Sequence, residues 1–88
     1  MYQVFLKRSA EKELDSAQNT IYERLKEKLI SLESNPRPIG VKKLEGVDAY
    51  RLRAGDYRIL YQIDDKEKKI EVLAIRPRKD VYRFPRNL

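Results

Sequence analysis

Residues 44–61 read LEGVDAYRLRAGDYRILY, and the fold follows from how this run is read. Residues 49–53 (AYRLR) alternate: Tyr50 and Leu52 fall on one face of a strand, Arg51 and Arg53 on the other. Ala54-Gly55-Asp56 is turn chemistry. Residues 57–63 (YRILYQI) are rich in β-branched and aromatic side chains and read as a second strand. A turn this short folds the second strand back beside the first, so Arg58 returns near Arg51 and Arg53. The hairpin then has an apolar face and a face carrying three guanidinium groups.

Working outward, residues 64–69 (DDKEKK) form a charged hairpin loop. Residues 70–75 (IEVLAI) are an almost unbroken apolar run, which predicts a strand in the interior of a sheet; Pro77 ends it. On the other side, residues 36–48 are a loop marked by Pro36, Pro38, Gly40 and Gly46. Before it, Ile21, Leu25, Leu29 and Leu32 repeat at helical spacing. Thr20 and Glu23 match a capping box at the start of that helix, and Asn35-Pro36-Arg37-Pro38 stops it. A shorter helix precedes it, with Ser9 as its cap. It carries the stripe Ala10, Leu14 and Ala17 and ends near Gln18–Asn19. Residues 2–7 (YQVFLK) open the chain as a strand. The order β-α-α-β-β-β predicts an α+β fold, with a helical hairpin packed on one face of a small, mainly antiparallel four-stranded sheet. Residues 1–88 read as a single domain. The other face of the sheet is left free to work.

Composition narrows the chemistry. The formal net charge is +6 and the pI about 9.7. Residues 1–36 hold six basic and six acidic side chains, so residues 37–88 carry the whole excess. Such one-sidedness points to a polyanionic partner: nucleic acid, an acidic membrane surface or an acidic protein. There is no cysteine and no histidine. Thiolate chemistry is excluded, the usual neutral-pH base is missing, and zinc, copper or non-haem iron sites are not expected. The N-terminal MYQVFLKRSAEKEL has no long apolar core of a signal peptide, and no run approaches the ~20 apolar residues that span a bilayer. The expectation is a cytoplasmic protein without membrane, metal or cofactor. A chain of 88 residues buries only roughly 60% of its unfolded surface. A working site is therefore expected on a shallow face, or one completed by a partner.

Arginines 51, 53 and 58 repel one another on one sheet face unless an anion joins them, and arginine's planar fork suits phosphate better than lysine does. Taken singly, each is better explained as a solvated residue or a partner of Asp48, Asp56 or Asp64; the three together with the basic tail favour an anion. A second basic group closes the chain: Arg76-Pro77-Arg78-Lys79-Asp80-Val81-Tyr82-Arg83-Phe84. Cations there track phosphates, and Tyr82 offers a ring to an unpaired base. Tyr82 reads equally as hydrophobic cover under the sheet, and Val81 and Phe84 read better as such cover than as contacts. Arg76, Lys79 and Arg83, with Lys42 and Lys43 in the loop before the hairpin, are expected RNA contacts.

The phrase L-x-G…Y-R-L-R-x-G-D-Y-R-I-L-Y resembles the central signature of the RelE/ParE toxin superfamily. The closing R-P-R-K-D-V-Y-R is similar to the C-terminal motif of its RelE branch. The resemblance covers nearly the whole chain and implies the β-α-α-β-β-β fold. It also implies a toxin of a type II toxin–antitoxin system that enters the ribosomal A site and cleaves mRNA. In that reaction the 2′-OH attacks the adjacent phosphate and leaves a cyclic phosphate and a 5′-OH. The partners implied are a cognate antitoxin and a 70S-type ribosome with its mRNA and 16S-type rRNA. Carried over by position, the catalytic set is Arg51, Arg53, Arg58, Arg78 and Tyr82, with Arg76 as the alternative to Arg78.

The sequence departs from the family in two places. Lysine is usual at the positions of Arg51 and Arg53, and a histidine usually precedes the C-terminal arginine, where this chain has Pro77. Arginine stays protonated and is no base. The expected contribution of the site is thus electrostatic stabilisation of the phosphorane and orientation of the 2′-OH. Proton transfer falls to Tyr82, water or the RNA. The same central motif occurs in the ParE branch, whose members inhibit DNA gyrase and cut nothing. A catalytically inactive nucleic-acid-binding relative is the third reading.

Overall fold

The structure, a computed structural model, describes residues 1–77. Its elements are β1 (Gln3–Leu6), α1 (Arg8–Asp15), α2 (Asn19–Ser31), β2 (Lys42–Lys43), β3 (Tyr50–Ala54), β4 (Tyr57–Asp64) and β5 (Lys69–Pro77). They build one sheet in the order β1-β5-β4-β3-β2. β1 lies parallel to β5, and the remaining neighbours are antiparallel. The two helices cross between β1 and the hairpins, which is what lets the first and last strands sit side by side.

The core lies between the helices and one sheet face. Ala10 and Leu14 of α1, Leu25 and Leu29 of α2, and Leu32 just beyond it pack on Leu52, Ala54, Ile59, Tyr61, Ile70, Val72 and Ile75. On β4, Ile59, Leu60 and Tyr61 are buried in succession, because this middle strand is covered on both faces. The second face carries its own small apolar patch, Leu60 and Ala74 packed with Leu44 and Leu73. It is therefore less bare than the sequence suggests.

Several boundaries differ from expectation, each for a local reason. The sheet has five strands rather than four, because Lys42 and Lys43 extend from the expected loop and pair with Arg51 and Tyr50. Gly46, at φ 71°, lies in the tight turn between β2 and β3, and Leu44 N–H bonds the Ala49 carbonyl at 2.9 Å. α1 starts at Arg8, so Ser9 lies inside its first turn. Lys7 still donates to the Val72 carbonyl at 2.9 Å, and the chain passes from strand to helix without a spacer. α1 ends at Asp15, three residues short of Gln18, where the Ser16 hydroxyl turns back to the Glu13 carbonyl at 3.0 Å. α2 therefore begins at Asn19 with Gln18 as its flanking residue. The Thr20–Glu23 capping box does not form, and neither helix has a side-chain cap. A lost cap costs about 1 kcal/mol. Burying a single leucine contributes roughly 1.5–3 kcal/mol, so packing decides where the helices begin. The turn between β3 and β4 is tighter than expected: Ala54 pairs with Tyr57, leaving Gly55 and Asp56 as the loop. Gly55 supplies the positive φ, 63°, that a two-residue hairpin needs.

One irregularity redirects β5. Leu60 pairs with Ala74 but Tyr61 pairs with Val72, so Leu73 is an extra residue on β5, a bulge. Up to Val72 the even-numbered residues face the helices. Past the bulge the parity flips: Ile75 enters the core and Arg76 faces away.

At the far end of the sheet a polar clamp holds the loop after α2. Arg37 makes a two-pronged contact with Asp65, 2.9 and 3.2 Å, and its Nε donates to the Tyr50 hydroxyl at 3.1 Å. The Tyr2 hydroxyl donates to Asp65 at 2.6 Å. Beneath it Tyr50 stacks on Tyr61, with ring centroids 5.9 Å apart, and the Tyr61 hydroxyl donates to the Pro36 carbonyl at 2.7 Å. The Arg37 and Tyr2 hydrogen bonds hold the Asp65 carboxyl down at about 2. Burial pushes the Tyr61 phenol up to about 12.

Two predictions follow from the clamp. A carboxyl depressed in the folded state stabilises it above the unfolded value near 3.9, so stability should fall between about pH 4 and about pH 2. A phenol raised in the folded state stabilises it below about pH 10, and that contribution is lost as pH rises through about 12. Urea titrations across pH check both limbs, and a flat profile at both ends refutes them. Separately, Tyr61→Phe should lower unfolding free energy by about 1 kcal/mol through loss of the bond to Pro36, and should shrink the alkaline limb. Denaturation midpoints read this directly.

Candidate functional site

The alternation that sends Leu52, Ile59 and Tyr61 to the helices sends their neighbours to the opposite face. There the strand registers align cations in rows. Arg53 of β3 stands opposite Arg58 of β4, and Arg58 opposite Arg76 of β5. The next row along the strands runs Lys42, Arg51, Leu60 and Ala74. Side chains directly opposite across a sheet have Cβ atoms roughly 4.5–5.5 Å apart, and like charges so placed are destabilising. The row Arg53–Arg58–Arg76 contains two such like-charged pairs.

Their surroundings differ. Arg58 is 7% exposed, the one buried charged residue among those described. Its guanidinium donates to the Tyr57 carbonyl at a long 3.5 Å. Arg53 is exposed, with its Nε donating to the Gly55 carbonyl at 3.3 Å. Arg51 is half-buried. Among the described residues no carboxylate forms an ion pair with Arg51, Arg53 or Arg58; neither Asp48, Asp56 nor Asp64 does so. A buried cation is costly unless an anion meets it. Three guanidinium groups that no carboxylate among the described residues pairs with, on a face turned away from the helices, have the donor geometry that suits a phosphate.

Arg76 closes the row differently. Its Nε donates to Glu13 Oε2 at 2.6 Å, while Glu13 Oε1 accepts the Ile75 backbone N–H at 2.9 Å. Glu13 comes from α1, and the sequence offers no signal for a contact spanning more than sixty residues. The position of Arg76 does have a signal in hindsight. Adjacent apolar Leu73 and Ala74 break the alternation, as a bulge does.

The structure does not bring every expected contact to this face. Lys42 stands beside Arg51, but Lys43 pairs with Tyr50 on the helix side, with its Nζ 5.5 Å from the Tyr50 ring and 3.6 Å from Asp48. Arg78, Lys79, Tyr82 and Arg83 lie outside the described residues. At the other end of the face a shallow hollow of about 690 Å³ is lined by Phe5, Gln62, Lys69 and the acids Asp48, Asp64 and Glu71. Its sign is wrong for a polyanion, and it lies away from the arginine row. Among the described residues no three acids, histidines or cysteines gather as metal ligands, and no helix is long and apolar enough to cross a membrane.

Comparison with known proteins bears on the family and the fold. Residues 4–82 match the family described as the ParE toxin of the type II toxin–antitoxin system parDE. The mRNA interferase toxin RelE of Escherichia coli K12 is 38% identical over 69 residues, covering 73% of this chain and 72% of that protein. The archaeal RelE–RelB complex of Pyrococcus horikoshii superposes with a TM-score of 0.79 at 38% identity, covering 88% of this chain and 94% of the other. In the intact RelBE toxin–antitoxin complex of E. coli the values are 0.74 and 31%, with 88% and 96% covered.

A face of this kind should bind a single-stranded oligonucleotide with strong salt dependence. Each phosphate neutralised contributes about −0.7 to the slope of log K against log salt on single strands. The three-arginine row predicts a slope of about −2 or steeper, made shallower by about 0.7 in Arg53→Ala. Anisotropy titrations over a salt series measure it. Binding that ignores salt, or an unchanged slope in the variant, removes the row from the interface.

Proposed function

The chain belongs to the RelE/ParE superfamily of toxins of type II toxin–antitoxin systems, on its RelE branch, and we propose that it is an endoribonuclease that cuts mRNA in the ribosomal A site. The observation that carries this reading is the cross-strand row Arg53–Arg58–Arg76 with Arg51 beside it. The reaction forms a bond from the 2′-oxygen to phosphorus and breaks the bond to the 5′-oxygen. The 2′-OH gives up a proton, and the departing 5′-oxygen gains one. Negative charge on the phosphoryl oxygens grows on the way to the phosphorane. Fixed guanidinium donors that meet this charge lower the barrier without rearranging when it develops.

Arg58 is the central group, flanked on both sides and held by burial. Arg53 and Arg51 extend the grip along the hairpin. None of them removes the 2′-OH proton, because arginine stays protonated. Tyr82, water or the RNA takes it. Arg78 and Tyr82 follow β5 directly in sequence and complete the proposed catalytic set. Arg76, Lys42, Lys79 and Arg83 are assigned to RNA contacts, with Lys43 the weakest member because its ammonium turns to Asp48 and Tyr50. The ribosome supplies an mRNA already unpaired and splayed, which suits a shallow face with no cleft of its own.

A cognate antitoxin holds the toxin inactive in the cytoplasm. Two of the similar structures are complexes of this kind. Acidic or amphipathic antitoxin segments suit the basic face, on grounds of charge. The description of the matching family as ParE keeps gyrase inhibition as the second reading.

Primer extension on a defined mRNA in a translating extract distinguishes them. The wild-type protein should produce discrete stops within A-site codons. Arg58→Ala should reduce them by at least about 100-fold, the scale of losing one preorganised donor to a developing oxyanion. No stops, together with inhibition of plasmid supercoiling by gyrase, refute the nuclease reading and establish the other.

A further inference from the structure

β1 accompanies β5 only from Lys69 to Val72; there the chain turns into α1. Beyond that point no strand among the described residues lies beside the outer edge of β5. Ile75 is 1% exposed, so its N–H has no recourse to water. Glu13 Oε1 takes that N–H at 2.9 Å, and Oε2 takes Arg76 Nε at 2.6 Å. One carboxylate thus stands in for the missing strand and grips the arginine that ends the phosphate-facing row. Glu13 is itself only 24% exposed at the side chain, which strengthens both bonds over a surface pair.

We propose that Glu13 is a positioning residue of the site, fixing the plane and reach of the Arg76 guanidinium so that it stands in line with Arg58. Glu13 does not touch RNA; it acts through Arg76. The bond at Nε tethers the side chain at the outer edge of β5 and limits its rotation. The inference rests on the reading of this face as an RNA-cleaving site.

Glu13→Gln separates the two bonds. The amide oxygen still accepts the Ile75 N–H, so the strand edge stays satisfied and the fold is retained. The amide nitrogen is a donor and cannot accept from Arg76. A double-mutant cycle with Arg76→Ala, on the full chain, tests the coupling in two readouts. The first is single-turnover cleavage on programmed ribosomes. The second is binding of an uncleavable 2′-O-methyl RNA oligonucleotide.

In the wild-type background Glu13→Gln should slow cleavage roughly tenfold, within the range of coupling between residues in contact. In the Arg76→Ala background it should change cleavage less than about twofold. Loss of a remote negative charge, or a general weakening of the fold, acts alike in both backgrounds. Effects that simply multiply in the double variant therefore overturn the proposal. If the wild-type protein cuts no RNA, the nuclease reading has failed by itself, and the binding cycle decides the role of Glu13. Non-multiplicative effects on affinity there support it, and multiplicative ones refute it.

Discussion

The contact between α1–α2 and one face of the sheet governs everything else. Leu25, Leu29 and Leu32 need an apolar surface to lie on, and β3 and β4 provide one with every second residue: Leu52 and Ala54, then Ile59 and Tyr61. That commitment leaves the intervening residues no choice of side. Arg51, Arg53 and Arg58 face away from the helices because their neighbours face toward them. The proposed functional face is in this sense the complement of the core. A side chain moved from one to the other is lost to both.

Charge is distributed along that face rather than spread over it. The arginine rows occupy the end near the β3–β4 turn. Asp48, Asp64 and Glu71 border the hollow at the opposite end. Between them lie Leu60 and Ala74, with Leu44 and Leu73. A polyanion is thus drawn to one end and repelled from the other, and its orientation is biased before any specific contact forms. Under the proposed function, a shallow face gains directional selectivity from this arrangement at little structural cost.

The residues differ in how legible they were. The hairpin carrying Arg51, Arg53 and Arg58 was readable because alternation and the Gly55 turn are both local signals. The helical stripe Leu25–Leu29–Leu32 and the interior position of β5 were readable for the same reason. Helix starts were not. Ser9 and Thr20 are good caps in isolation, but the direct passage from Lys7 into α1 and the short link between the helices placed both inside helical turns. β2 was hidden because a pair of lysines has no strand signature, and only pairing with Arg51 and Tyr50 makes it one. Glu13 was hidden for a deeper reason: its partners lie 62 and 63 residues away, and nothing in a surface helix marks one acid as different from the next.

The bulge at Leu73 works as a change of parity. Before it, even positions belong to the core; after it, odd ones do. Ile75 and Arg76 are both correctly placed only because one residue was added upstream, and shortening β5 there by one exchanges them, setting a cation against the leucines and an isoleucine in the arginine row. Substitutions in this strand act one side chain at a time, whereas a single-codon deletion acts on all that follow. The chain can therefore vary in the identity of its residues around position 73 far more freely than in their number.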